Sequence, residues 1–160
     1  MYNDLVSHRE LHADLCVVGA GIIGVAHALE ARRRGLSVVL LEREDRAVGA
    51  SVRNFGHLFA GSQPDGPALE LALAARERWL ELDAAAGLGV VQAGTLIVAR
   101  APDELAVLET AVAEPARGAR MLTAAETLEL APLPAAGIIG GLHCRLDLRV
   151  DPRVAVARLT

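Results

Sequence analysis

The stretch DLCVVGAGIIGVAHALEARRRGLSVVLLER, residues 14–43, decides the reading of this chain. Leu15 to Val18 and Leu36 to Leu41 are short apolar runs without polar alternation, the pattern of parallel strands covered on both faces, so Cys16 is expected inside a buried strand. Between them Ile22, Val25, Ala26 and Leu29 recur at helical spacing, and Gly35 stands where a helix stops. Arg32, Arg33 and Arg34 then fall in the last helical turn, opposite the negative end of the helix dipole. The result is a strand, helix, strand unit.

Its first turn is Gly19-Ala20-Gly21-Ile22-Ile23-Gly24, and Glu42 closes the second strand about twenty residues on. Each glycine has a physical task there. Gly19 permits the tight turn, Gly21 lets backbone approach a pyrophosphate, and Gly24 lets the helix lie close to the strands. The free N–H groups at the helix start face the phosphates, with the positive end of the dipole behind them. Glu42 is placed to accept hydrogen bonds from ribose hydroxyls and would repel a ribose 2′-phosphate, an exclusion of NADP that neighbouring Arg43 weakens. The turn itself admits FAD or NAD.

From Asp45 to Pro67 the chain is rich in Gly, Ser, Asn and Pro and reads as a functional loop. A helix is expected over 68–86, with Leu71, Ala75, Trp79 and Leu82 on its inner face and Gly87 as its stop. VVQAGTLIVA, 90–99, reads as strand, and 102–113 as a helix with Leu105, Leu108 and Val112 inward. Thr123 and Glu126 form a capping box for a short helix ending before Pro132. HCRLDLRV, 143–150, alternates like one half-exposed antiparallel strand, after which Asp151 and Pro152 open another helix.

The segment at 14–43, followed by GASVRNFGHL at 49–58, resembles the D-amino-acid oxidase family of flavoproteins, which includes glycine oxidase and sarcosine oxidase. The resemblance implies an α/β fold: a Rossmann-like FAD-binding domain over 13–60, the first part of a mixed-sheet substrate domain over 61–150, and from 151 to 160 a helix returning to the FAD domain. FAD is the implied cofactor. Ala50 and Ser51 match the phosphate-contacting part of the family's loop, and Asn54, Phe55, Gly56 and His57 match the stretch whose backbone borders the flavin, where Gly56 would allow close approach to a flat ring. The implied activity is oxidation of the C–N bond of an amino acid or small amine. NFGHLFAGSQPDG and LRVDPR resemble most a bacterial subgroup associated with aminophosphonate breakdown. A fold of this kind is expected to continue past Thr160, so the chain reads as truncated and, taken alone, as a nucleotide-binding piece without turnover.

Other classes find little support. The formal net charge of −4 offers no positive field for nucleic acid. Cys16 and Cys144 lie far apart, and His8, His12, His27 and His143 show no metal-ligand spacing. Ser51 lacks the GxSxG setting of a hydrolase nucleophile. His57 can border a substrate or serve only as a loop histidine, and Arg53 can meet an anionic substrate, a phosphate or solvent. The first twelve residues lack a signal peptide's basic start and apolar stretch, and the apolar region from Leu15 to Leu29 is too broken by glycines for a membrane span, so a cytoplasmic location is expected.

Overall fold

The computed structural model describes residues 10–112, 115–132 and 134–160. The reading of the first nine residues, His8 among them, and the expected helix end at Ala113 lie outside these. Strand β1 (Leu15–Val18), helix α1 (Ile22–Arg33) and strand β2 (Val38–Leu41) form the expected unit, with β1 and β2 parallel and Val18 opposite Leu41. β2 starts later than the apolar run because Ser37 is taken up elsewhere: its N–H and hydroxyl both donate to Asp14, at 2.8 and 2.6 Å. Gly35, at φ +82°, follows the helix end as expected.

Two expectations about this unit need correction. α1 buries Val25, Ala28 and Ala31, whereas Ala26 is exposed. The small side chains at 28 and 31 let the helix sit close on the strands, so the buried stripe is turned from the one the larger residues suggest. Cys16 is exposed, and Val18 is 82% exposed. Alternate strand residues face opposite ways, and α1 covers only one face. Among the described residues nothing covers the other, which carries Cys16, Val18 and Leu41.

The loop contains a 3₁₀ turn at Ala50–Val52 and the two-residue strand β3 (His57–Leu58). Helix α2 (Pro67–Ala86) ends at Gly87 in the left-handed conformation, φ +64°. Half of its expected inner face is corrected. Leu69 is buried and Trp79 and Leu82 pack on the core, while Leu71 and Ala75 face solvent. Strand β4 (Thr95–Ala99) is half the length read from sequence, because Gly94 at φ +72° turns the chain; only Val91 of the earlier part pairs, with Arg149. Helix α3 (Pro102–Ala111) follows, then β5 (Ala119–Thr123), which the sequence pattern does not reveal, and α4 (Ala124–Leu130) with its Thr123–Glu126 capping box formed.

The single strand expected over 143–150 is two. β6 (Gly140–Cys144) is the centre of an antiparallel sheet ordered β4-β6-β5, and β7 (Leu148–Arg149) leaves it to pair antiparallel with β3. A turn at Arg145 and Leu146 separates them. Helix α5 (Pro152–Leu159) is capped as expected, Arg153 N donating to Asp151 Oδ1 at 2.9 Å. It packs against the 3₁₀ turn and α1. Leu88, Val150 and Ala155 form the core where α2, β7 and α5 meet, with Leu58, Trp79, Leu82, Val90 and Leu159 around them.

Candidate functional site: the glycine turn and its cleft

Gly19 takes φ +101°, a conformation that side chains disfavour, and its N–H donates to Leu41 O at 2.7 Å, so the turn begins as a continuation of the parallel pair. A Cβ on Gly24 would stand 1.9 Å from Gly19 O and 3.3 Å from Val17 Cγ1. That glycine is the closest point of helix and strand, as the spacing implied. Gly21 caps α1 at its N-terminus without any side-chain cap of its own. The cap comes from 29 residues away: Ile22 N donates to Ser51 Oγ at 2.9 Å. A Cβ on Gly21 would lie 3.1 Å from that same oxygen, so the glycine keeps a gap between the turn and the loop.

Glu42 folds back onto the turn. Its Oε2 accepts from Ala20 N at 2.7 Å, and its Oε1 accepts from Arg43 N at 2.8 Å and Glu44 N at 3.1 Å. The Ala20 N–H, followed by those of Glu44 and Arg43, holds its carboxyl below the usual carboxylate value. Each carboxylate oxygen has about two acceptor positions, so Oε2 keeps one for a further donor such as a ribose hydroxyl. Arg43 turns away to pair with Glu44 at 3.0 Å.

The remaining sequence-predicted residues divide. Ala50 and Ser51 stand in the 3₁₀ turn against the glycine turn. Asn54 is an internal brace: its Nδ2 donates to Ala50 O and Ser51 O at 3.0 and 3.1 Å, and its Oδ1 accepts from Gly56 N at 2.8 Å. Gly56 is packed against the end of β7: a Cβ there would stand 1.9 Å from Val150 O. Phe55 is 89% exposed, His57 is exposed with its ring edge-on to Phe59 at 4.8 Å, and Ile23 is exposed on α1.

One residue that fastens this region was not singled out from sequence. Asp147 is 1% exposed, and its Oδ1 accepts from Ala60 N and Gly61 N at 2.8 and 2.7 Å while Oδ2 has no partner among the described residues. Arg117 donates to Gly61 O at 2.7 Å and pairs with Asp65, so 60–65 is held from both sides. Asp147 falls at a polar position of the alternating run 143–150, so the pattern gave no signal that it is buried.

Beside the glycine turn opens a cleft of about 780 Å³, lined by Ala20 and Glu42, by Glu44 to Val48, by Val52 and Arg53, by one face of α5 that includes Arg153 and Val156, and by Thr160. A turn with a missing Cβ, amides at a helix start, an acid with an acceptor to spare and an adjoining cleft fit the adenosine and diphosphate end of a dinucleotide. These features define a dinucleotide-binding protein.

The comparisons with known proteins make this specific. The family model described as "DAO: FAD dependent oxidoreductase" matches residues 14–160, so the chain belongs to that family, and FAD is its cofactor. The choice that the glycine turn left between FAD and NAD is thereby settled. The structure is similar to L-amino acid deaminase from Proteus vulgaris, with TM-score 0.79 and 27% identity over 96% of this chain and 44% of that one. It is likewise similar to glycine oxidase from Geobacillus kaustophilus, with TM-score 0.76 and 29% identity over 92% of this chain and 43% of that one. Among curated proteins, one of the subunits of anaerobic glycerol-3-phosphate dehydrogenase from Haemophilus influenzae is 36% identical over 63 residues, which are 39% of this chain and 11% of that protein. The chain thus spans under half of the solved relatives and about a tenth of the curated one. No helix among the described residues is long and apolar enough to cross a membrane.

Proposed function

We propose that this protein oxidises the C–N bond of an amino acid or small amine, with FAD as the hydride acceptor. The observation that carries the substrate class is the likeness to an amino acid deaminase and a glycine oxidase, which extends over more than nine-tenths of this chain, well past the dinucleotide turn. The resemblance of 54–66 and 148–153 to the aminophosphonate-linked subgroup favours an amine that carries a phosphonate.

On this reading residues 13–60 bind FAD, 61–150 begin the substrate domain and 151–160 return to the FAD domain. The glycine turn from Gly19 to Ile22, with Ala50 and Ser51, holds the pyrophosphate through the Gly21 N–H, since the N–H groups of Gly19, Ala20 and Ile22 already donate to Leu41, Glu42 and Ser51; Glu42 holds the adenosine ribose, with Arg43 beside it; and the backbone of 54–57 borders the flavin end. FAD, when bound, supplies the hydride acceptor for the carbon next to a neutral amine, and the imine left behind hydrolyses to a carbonyl compound and ammonia or an amine. The residues of this segment position the cofactor and need not transfer a proton.

Anaerobic mixing of the purified yellow protein with glycine, sarcosine, D- and L-alanine, aminoethylphosphonate and glycerol 3-phosphate tests the reading through loss of the oxidised flavin absorbance. Bleaching by an amine is the expected result. The similarity to the glycerol-3-phosphate dehydrogenase favours a second reading, oxidation of a C–O bond. Bleaching by glycerol 3-phosphate and by no amine would replace the first reading with the second.

A further inference from the structure

Six charged side chains line the cleft beside the glycine turn, three acidic and three basic. Glu42, Glu44, Asp45 and Arg46 come from the segment that follows β2. Arg53 and Arg153 come from elsewhere, Arg53 from the end of the 3₁₀ turn that carries Ser51 and Arg153 from the first turn of α5. Glu44 is already paired with Arg43. Among the described residues, the guanidinium groups of Arg46, Arg53 and Arg153 make no hydrogen bond or ion pair. Arg53 and Arg153 are the two of these that separate structured elements bring to one cleft, which Ala20 of the glycine turn also lines.

We infer that Arg53 and Arg153 form a two-sided clamp on the pyrophosphate of the bound dinucleotide, bridging the 3₁₀ turn and α5 through the ligand. The inference rests on the FAD reading above and adds two binding residues to it. A diphosphate brings two negative charges to a site whose nearest carboxylate, Glu42, is ionised, and the amides of one helix start offer only partial positive charge against them. Guanidinium groups supply full charge and forked donors suited to phosphate oxygens. The ligand carries partners for both kinds of charge: ribose hydroxyls are donors and suit Glu42, and phosphates are acceptors and suit the arginines. The clamp answers the question that the sequence leaves over Arg53, since Ala20 of the glycine turn lines the same cleft. Because Arg153 belongs to α5, the ligand also ties that helix to the loop it packs on.

The test is the affinity of the apoprotein, prepared from the complete gene product, for FAD, ADP and adenosine at several salt concentrations. Arg53→Gln and Arg153→Gln are each expected to weaken FAD and ADP by about tenfold, as loss of one charge-assisted hydrogen bond implies, and to flatten the salt dependence. Adenosine, which has no phosphate, should bind each variant as it binds the parent. Arg32→Gln removes the same charge from the exposed far end of α1 and should change nothing. The clamp is overturned if the parent retains FAD and the two variants do so equally well, if adenosine suffers as much as ADP, if Arg32→Gln matches them, or if Arg53→Gln raises the KM for an amine while FAD affinity stays fixed. A parent protein that retains no FAD and binds no ADP sinks the clamp together with the reading beneath it.

Discussion

Gly21 and Gly24 lie three positions apart in one motif, yet their neighbours differ in a way that separates two kinds of failure. The Cβ of Gly24→Ala would meet a backbone carbonyl at 1.9 Å, and neither strand nor helix can yield without moving the other. Gly24→Ala should therefore cost about 1–3 kcal/mol of stability, as overpacking does, and thermal unfolding of the apoprotein measures it. Gly21 faces only the hydroxyl of Ser51 at 3.1 Å, which a rotamer change can move aside. Gly21→Val should leave the fold standing and abolish FAD retention, because the branched side chain fills the approach to the pyrophosphate. A Gly21→Val protein that purifies with its full flavin content would refute the assignment of this turn. Glu42→Ala should act between these extremes and weaken FAD by about tenfold, the loss of one hydrogen bond to a charged acceptor, as a titration of the apoprotein would show.

At the scale of the element, α4 offers the cleanest test because its start is held by local chemistry alone. Thr123 Oγ1 accepts from Glu126 N at 3.2 Å, and Glu126 Oε2 accepts from Thr123 N at 2.8 Å. Thr123→Ala should cost about 1 kcal/mol in denaturant unfolding. Arg120, then the Thr123 N–H and hydroxyl, hold the Glu126 carboxyl down from its ordinary value of 4.5 to about 2. A carboxyl depressed in the folded state stabilises fully above its unfolded value and loses that contribution as pH falls through its folded one. Glu126→Gln should therefore flatten the acid limb of stability between pH 4.5 and about 2. This box, the Gly19–Gly24 turn and the Asp151 cap were legible in the sequence because their partners lie within a few residues or in a fixed motif. Strand β5 was not, because ARMLT carries an arginine at an exposed position and earns its place only through β6, some twenty residues on. The split of the strand expected over 143–150 into β6 and β7 was hidden for the same reason: each half is chosen by a different distant partner, β4 and β5 in one case and β3 in the other. The two arginines of the cleft are similar, since nothing local in VRN or DPR shows that they face one space.

The whole molecule is fastened by contacts between segments far apart in sequence. Asp147 satisfies two buried N–H groups at once, so Asp147→Ala should cost about 1–3 kcal/mol for each amide left without a partner, measurable by denaturant unfolding. The open face of the β1–β2 pair has the opposite character, apolar and uncovered among the described residues at Cys16, Val18 and Leu41. Uncovered apolar surface of this kind promotes association. The 160-residue chain expressed alone should therefore associate with rising concentration in sedimentation, and Val18→Gln should reduce it. An unchanged monomer at all concentrations would show that this face does not attract another chain. The long reach of Asp147 also matters while the protein is being made. A ribosome delivers the chain from its amino end, and early segments settle first. The parallel pair and its glycine turn have their partners once residue 51 is free, but Ala60 and Gly61 wait 87 and 86 residues for their acceptor. Until then the loop that carries Asn54 to His57 lacks both the Asp147 acceptor and its pairing with β7, and a nascent chain arrested before Asp147 should be cut there by protease while the glycine turn resists.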